Sequence, residues 1–222
     1  MTEKTGNIDP ALIDRIVVGL GNPGDVYTHT RHNLGFRALD AFLKSMNIPK
    51  DFQPFSKARV QIVTIEGLRI ILLRPSTFMN LSGNAVATIL DRTGLDTSNL
   101  LVVHDEMDLP PGQAKMKFGS SAAGHAGVQN IIDRCGVDFM RLKIGIGVPP
   151  DRDEGAGADW VLSEMPPDET LLVMNIMPIV ARGISRWIRD GNEKSMTWFN
   201  TAMREYQDET GEEEEVESSP DV

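Results

Sequence analysis

The chain has 222 residues, enough for one domain with a full core, and its 41% hydrophobic and 6% aromatic content is ordinary for a globular protein. Its formal charge of -10 is uneven: nine acids and no Lys or Arg fall in residues 205–222, leaving 23 acids against 22 bases in the body, so net charge does not exclude an RNA-binding surface. Cys135 is the only cysteine, which excludes an internal disulfide and a cysteine-rich zinc site and fits a reducing compartment.

In chain order, residues 1–14 are polar and read as a flexible extension, without the apolar core of a signal peptide or the Arg-rich character of a transit peptide. Residues 15–19 form the first strand-length apolar run. Leu34, Ala38, Leu39, Phe42, Leu43 and Met46 follow at helical spacing. Runs at 58–65 and 68–73, separated by Glu66-Gly67, predict an antiparallel hairpin. Helical spacing returns after Ser82 in Ala85, Val86, Ile89 and Leu90, and strands are predicted at 99–104, 113–118 and 140–148, with a helix through Val128, Ile131, Ile132 and Cys135. A helical pattern from Glu169 to Arg189, broken by Pro178, and another from Glu193 to Arg204 complete a single α/β domain, residues 15–204, with a mixed twisted sheet flanked by helices. The like-charge block of residues 205–222 reads as a disordered acidic tail, and no apolar run approaches the ~18 residues of a membrane span. The cytoplasm is the expected compartment, with no membrane partner.

Gly19, Gly21 and Gly24 in "IVVGLGNPG" spell the G-x-G-x-x-G of a dinucleotide fold. That reading requires a helix to open at the glycines and an acid to end the next strand about twenty residues on. The segment after Gly24, "DVYTHTRH", has no apolar stripe, and Asp40 and Asp51 lie in or just beyond a helix, so a loop without a dinucleotide is predicted. That loop crowds Asn22, Tyr27, His29, Arg31, His32 and Asn33 between a strand end and a helix start, where α/β proteins place ligands.

A second strand end carries His104-Asp105-Glu106, from which a carboxylate could fix the tautomer of a histidine in the first loop. The run lacks metal-ligand spacing, and His104, alternating with apolar strand residues, reads as structural. A serine nucleophile at Ser120 or Ser121 would need a later histidine, and the last is His125. Hydrolysis would then use water activated by His32, with Asn22 and Asn80 as amide donors. Either asparagine could instead cap a turn. Lys115, Lys117, Arg134, Arg141 and Lys143 form a basic cluster along the chain, readable as solvated surface or as an RNA contact.

"GLGNPG", "TRHNLGF", "RPSTFMNLSG", "VVHDEMDLPPG" and "RLKIGIG", in this order, resemble the bacterial-type peptidyl-tRNA hydrolase family over roughly residues 15–200. The resemblance implies a monomer with a mixed sheet flanked by helices, which hydrolyses the ester between peptide and tRNA and uses no cofactor or metal. It further implies His32 as catalytic base, Asp105 as its partner, and Asn22, Tyr27, Asn80 and His125 as residues around the substrate. Lys117 and Lys143 match positions that grip a tRNA phosphate, with Lys143 where Arg is usual, which keeps the charge and loses the bidentate fork.

One motif departs from the pattern. Where the family ends a glycine-rich loop in His-Asn-Gly, this chain reads "GSSAAGHAG", with Ala126 in place of an asparagine and Ser120 to Ala123 in place of glycines and a histidine. The departure keeps open an alternative function, a non-catalytic RNA-binding relative that serves as an RNA-processing or splicing partner. The acidic tail is outside the family pattern and could bind a partner of its own.

Overall fold

The structure, a computed structural model, describes residues 12–150 and 155–217, with side chains through 210. Seven strands form one sheet: β1 (Arg15–Gly19), β2 (Gln53–Phe55), β3 (Ala58–Ile65), β4 (Leu68–Pro75), β5 (Leu100–Glu106), β6 (Ala114–Phe118) and β7 (Met140–Gly145). Their order is β2-β3-β4-β1-β5-β7-β6. The strands β4, β1, β5 and β7 run parallel, and β2, β3 and β6 are antiparallel to their neighbours. The mixed α/β sheet expected from the sequence is therefore borne out.

Alternation along the central strands sets the two layers, because successive side chains leave a strand on opposite faces. Val17, Leu72, Leu101 and Val103 face one core with α1 (Leu34–Ser45), α5 (Pro167–Asp190) and α6 (Asn192–Glu217), which contribute Phe42, Trp187 and Phe199. Ile16, Val18, Leu73 and Val102 face the other, under α2 (Ser82–Thr93) and α3 (Ala126–Cys135), which contribute Val86, Ile89, Val128 and Ile131. After β1 the chain builds β4 on one side and then crosses to β5 on the other, so the C-terminal ends of β1 and β5 border a crevice at a topological switch. The glycines of the first loop serve this geometry. A Cβ on Gly19 would lie 2.3 Å from the Gly35 carbonyl oxygen, and Gly24 takes φ 107, so they permit close strand-helix approach and a turn.

Several boundaries differ from the sequence expectation. The three-residue β2 contains Pro54 and pairs only at the sheet edge, too short to give an alternating signal. α4 (Ala156–Leu162) is a seven-residue helix within a glycine-rich stretch and has no extended apolar stripe. β7 ends at Gly145 rather than 148, as Gly147 turns the chain with φ 65. Pro178 does not break α5: it is exposed, as is Met174 four residues earlier, so the carbonyl deprived of a partner lies on the solvent side.

By length and composition α5 could cross a membrane, but Val173, Ile176, Val180, Ile184 and Trp187 form a stripe buried against the sheet, which accounts for its apolar character. Near the start of the described residues Ile13 is buried, and the Asp14 N–H donates to the Arg69 carbonyl at 2.9 Å. At the other end α6 continues through Glu217, correcting a disordered tail from 205. Met203 and Tyr206 pack against the core, and Glu extends an established helix readily. The remaining expectations for residues 1–11 and 218–222 lie outside the described residues.

Candidate active site

The loop after β1 is held open by side-chain amides. Asn33 donates through Nδ2 to the Asn22 carbonyl at 3.0 Å and accepts from the Asn22 N–H at 2.7 Å. The Met79 N–H donates to Asn22 Oδ1 at 2.8 Å, which leaves Asn22 Nδ2 as the end able to donate into the crevice. The following single-turn helix, Arg31–Asn33, buries all three residues and brings His32 to the end of β5.

His32 Nδ1 lies 3.0 and 2.9 Å from the two Asp105 oxygens. A carboxylate only accepts, so Nδ1 carries the proton and Nε2 is left with its lone pair. His125 approaches the same carboxylate through Nε2, 3.1 Å from Oδ1. Its Nδ1 is the N-cap acceptor of α3, receiving the Gly127 and Val128 N–H groups at 3.1 and 3.2 Å. The helix end thus fixes the His125 tautomer, with the proton on Nε2. Asp105 is buried, which by itself favours its neutral form, yet the two imidazoles hold its carboxyl well below the usual carboxylate range.

Donor atoms of His32, Asp105 and His125 lie within 4.8 Å of one another, as a metal site would require. The cap argues against that use. A cation on His125 Nε2 would move the proton to Nδ1, where two backbone N–H groups already point. His104, beneath this cluster, donates from Nδ1 to the Asp105 carbonyl at 2.6 Å. Burial, then the neighbouring His125, holds its imidazole well below its ordinary pKa, so it is a neutral structural residue, as its place in the strand implies.

A cavity of about 620 Å³ opens over the cluster. Asn22, Tyr27, His32, Asn80, Asp105 and His125 all line it, joined by an apolar wall of Phe78, Met79, Met107, Val161 and Leu162. Tyr27 meets Phe78 edge to face at 6.4 Å. The α4 wall is pinned beside His32 by Arg31, whose guanidinium stacks on Trp160 at 3.7 Å and reaches Glu169 at 2.7 Å. His29, part of the polar crowd in sequence, is exposed and does not line the cavity.

The basic cluster divides. Lys115, Lys117 and Arg134 are exposed. Arg141 is fully buried, donating to the Ser120 and Ser121 carbonyls, and the Lys143 ammonium is ion-paired with the buried Glu106 carboxylate. These two are therefore not the free surface charges the sequence suggests. Strand β7 has β5 on one side and β6 on the other, and the 119–125 loop folds over Arg141.

Comparison with known proteins decides the family. The family pattern described as Peptidyl-tRNA hydrolase matches residues 16–208. The chain belongs to the peptidyl-tRNA hydrolase family. It is 40% identical over 187 residues to the peptidyl-tRNA hydrolase of Syntrophomonas wolfei, covering 84% of this chain and 100% of that one. The peptidyl-tRNA hydrolase of Bartonella henselae is 35% identical over 192 residues, covering 85% and 96%. A crystal structure of peptidyl-tRNA hydrolase from Acinetobacter baumannii superposes with a TM-score of 0.78 at 30% identity, covering 86% of this chain and 95% of that one.

Within this member of the peptidyl-tRNA hydrolase family, sequence reasoning left the role of one loop residue unassigned and missed two contributors. Asn33 clamps Asn22, and the only signal was its place in the crowded loop. Phe78 and Met79 were overlooked beside Asn80, although they adjoin it in "STFMN". The α4 wall gave no signal, because Ala, Gly and Asp dilute its apolar residues.

Proposed function

We propose that this chain hydrolyses the ester between peptide and tRNA, with His32 as general base. The observation that carries the reading is the fixed tautomer of His32, whose Nδ1–H is committed to Asp105 while Nε2 remains free beside the cavity. Water gives its proton to Nε2 as its oxygen attacks the ester carbonyl carbon. Asp105 stabilises the imidazolium, and Asn22 Nδ2 and the exposed Asn80 amide donate to the oxyanion or to the adjacent peptide group. Collapse breaks the ester C–O bond, the imidazolium returns its proton to the leaving oxygen, and free tRNA and a peptide acid result.

The apolar wall is suited to peptide side chains, and Tyr27 lines the cavity beside Phe78. His125 has both ring nitrogens engaged within the protein, which supports a role in holding Asp105 rather than in direct substrate contact. Lys117 is exposed and suited to a tRNA phosphate, whereas Lys143 is committed to Glu106. A monomer acting in the cytoplasm fits this reading, since one chain supplies every cavity residue named above and the substrate arises in translation. The test is incubation with N-acetylated aminoacyl-tRNA. Release of N-acetylamino acid supports hydrolysis, and tight binding without release supports the RNA-binding alternative that the altered 119–127 loop raises.

A further inference from the structure

The 119–125 loop is conformationally costly. Gly119, Ser120, Ala123 and Gly124 have φ values of 65, 92, 49 and 82, and two of these four are L residues in a region they rarely adopt. Yet the loop carries His125 and forms part of the cavity wall through Ala123 and Gly124. Its conformation must be imposed from outside.

The imposing contacts come from β7 and its approach. The Gly119 N–H donates to the Phe139 carbonyl at 3.1 Å. Arg141, fully buried, sends Nη1 to the Ser121 carbonyl at 2.7 Å and Nη2 to the Ser120 carbonyl, while its guanidinium carbon lies 5.0 Å from the Phe139 ring centre. A planar fork is the side-chain shape that can hold two successive carbonyls at once. The loop then closes with the His125 N–H on the Ala122 carbonyl at 3.0 Å and delivers the His125 ring to Asp105.

We propose that Arg141 is a positioning residue for hydrolysis: by gripping the Ser120 and Ser121 carbonyls it holds the strained loop in the shape that points His125 Nε2–H at Asp105, which in turn orients His32. Arg141 touches no substrate and acts through three intermediaries. The inference rests on the hydrolase reading above, in which Asp105 serves His32.

The test compares wild type, Arg141→Lys and Arg141→Met. In each, the ring N–H protons bonded to Asp105 are followed by proton NMR, assigned with His32→Ala and His125→Ala, and kcat and KM are measured on N-acetylated aminoacyl-tRNA. Arg141→Met should lose the slowly exchanging His125 Nε2–H signal and lower kcat by about 10- to 100-fold, the usual effect of a misplaced catalytic group, with a smaller change in KM. Arg141→Lys keeps the charge without the fork and should fall between, which also covers the case in which the Met variant does not fold. Wild-type kcat in either folded variant, or a lower kcat with the His125 signal intact, would overturn the inference. A wild-type protein without hydrolysis whose His125 signal still depends on Arg141 would instead sink the hydrolase reading.

Discussion

His104 should make the fold acid-sensitive. Its Nδ1–H is committed to the Asp105 carbonyl, its Nε2 has no partner among the described residues, and the residue is 1% exposed. A second proton would thus sit on a buried, unpaired nitrogen, and burial followed by the neighbouring His125 holds the folded pKa well below the ordinary value. In the unfolded chain the same imidazole titrates near ~6.5. Below that pH the unfolded state binds more protons than the folded one, so stability is full above about 6.5 and declines as pH falls until the folded pKa is reached. For one such group the loss is up to about 1.4 kcal/mol at pH 5.5 and up to about 2 kcal/mol at pH 5.0. In a chain of this size 2 kcal/mol corresponds to a fall of roughly 4–8 °C in Tm. His104→Asn places an amide donor where Nδ1 stands and cannot titrate. Urea unfolding of both proteins at pH 7.5 and 5.0 isolates the effect, because the other titrating groups are common to both. The variant should lose less between the two pH values, by up to about 2 kcal/mol, even if it is less stable throughout. Parallel losses would refute the reasoning and place the acid sensitivity elsewhere.

Asp105→Asn should reduce kcat/KM by ~10³ to 10⁴, close to the effect of removing His32, because an amide opposite two ring N–H groups favours the His32 tautomer with its proton on Nε2. A loss under tenfold would show that Asp105 does not set the tautomer. Lys143→Ala should destabilise the fold by about 3 kcal/mol in urea titrations, as it strands the buried Glu106 carboxylate. Lys117→Ala should leave stability within about 0.5 kcal/mol and flatten the salt dependence of tRNA binding by up to about 0.9 in log-log slope. Equal melting of the two variants would remove the distinction. Ala126→Asn should raise hydrolysis several-fold with little change in Tm, since position 126 is exposed at the cavity edge and one neutral hydrogen bond contributes on the order of 1 kcal/mol. A variant equally stable and no faster would show that the altered loop is no handicap.

The site was legible in sequence where it lies at strand ends. His32, Asp105 and Asn22 stand in polar runs that abruptly follow apolar ones, a contrast visible without coordinates. The role of His125 was not legible, because its tautomer is fixed by α3 backbone groups and its partner is twenty residues away. For the same reason the sequence presents Asp105 as a partner of one histidine, whereas the structure gives it two. Arg141 and Lys143 read as surface charges, solvated or RNA-facing, because a cluster of bases in sequence carries no information about what folds over it. Their partners, the Ser120 and Ser121 carbonyls and Glu106, become neighbours only once β5, β6 and β7 assemble. The strands themselves were legible as apolar runs, except β2, whose pairing is an edge effect.

The most direct test of His32 as the base is hydrolysis of N-acetylated aminoacyl-tRNA by wild type and His32→Ala, with the melting of both measured in the same buffer. His32→Ala should fold, bind the tRNA and hydrolyse ~10² to 10⁴ times more slowly, the usual worth of a positioned general base. A folded His32→Ala protein that releases N-acetylamino acid at the wild-type rate would contradict the account.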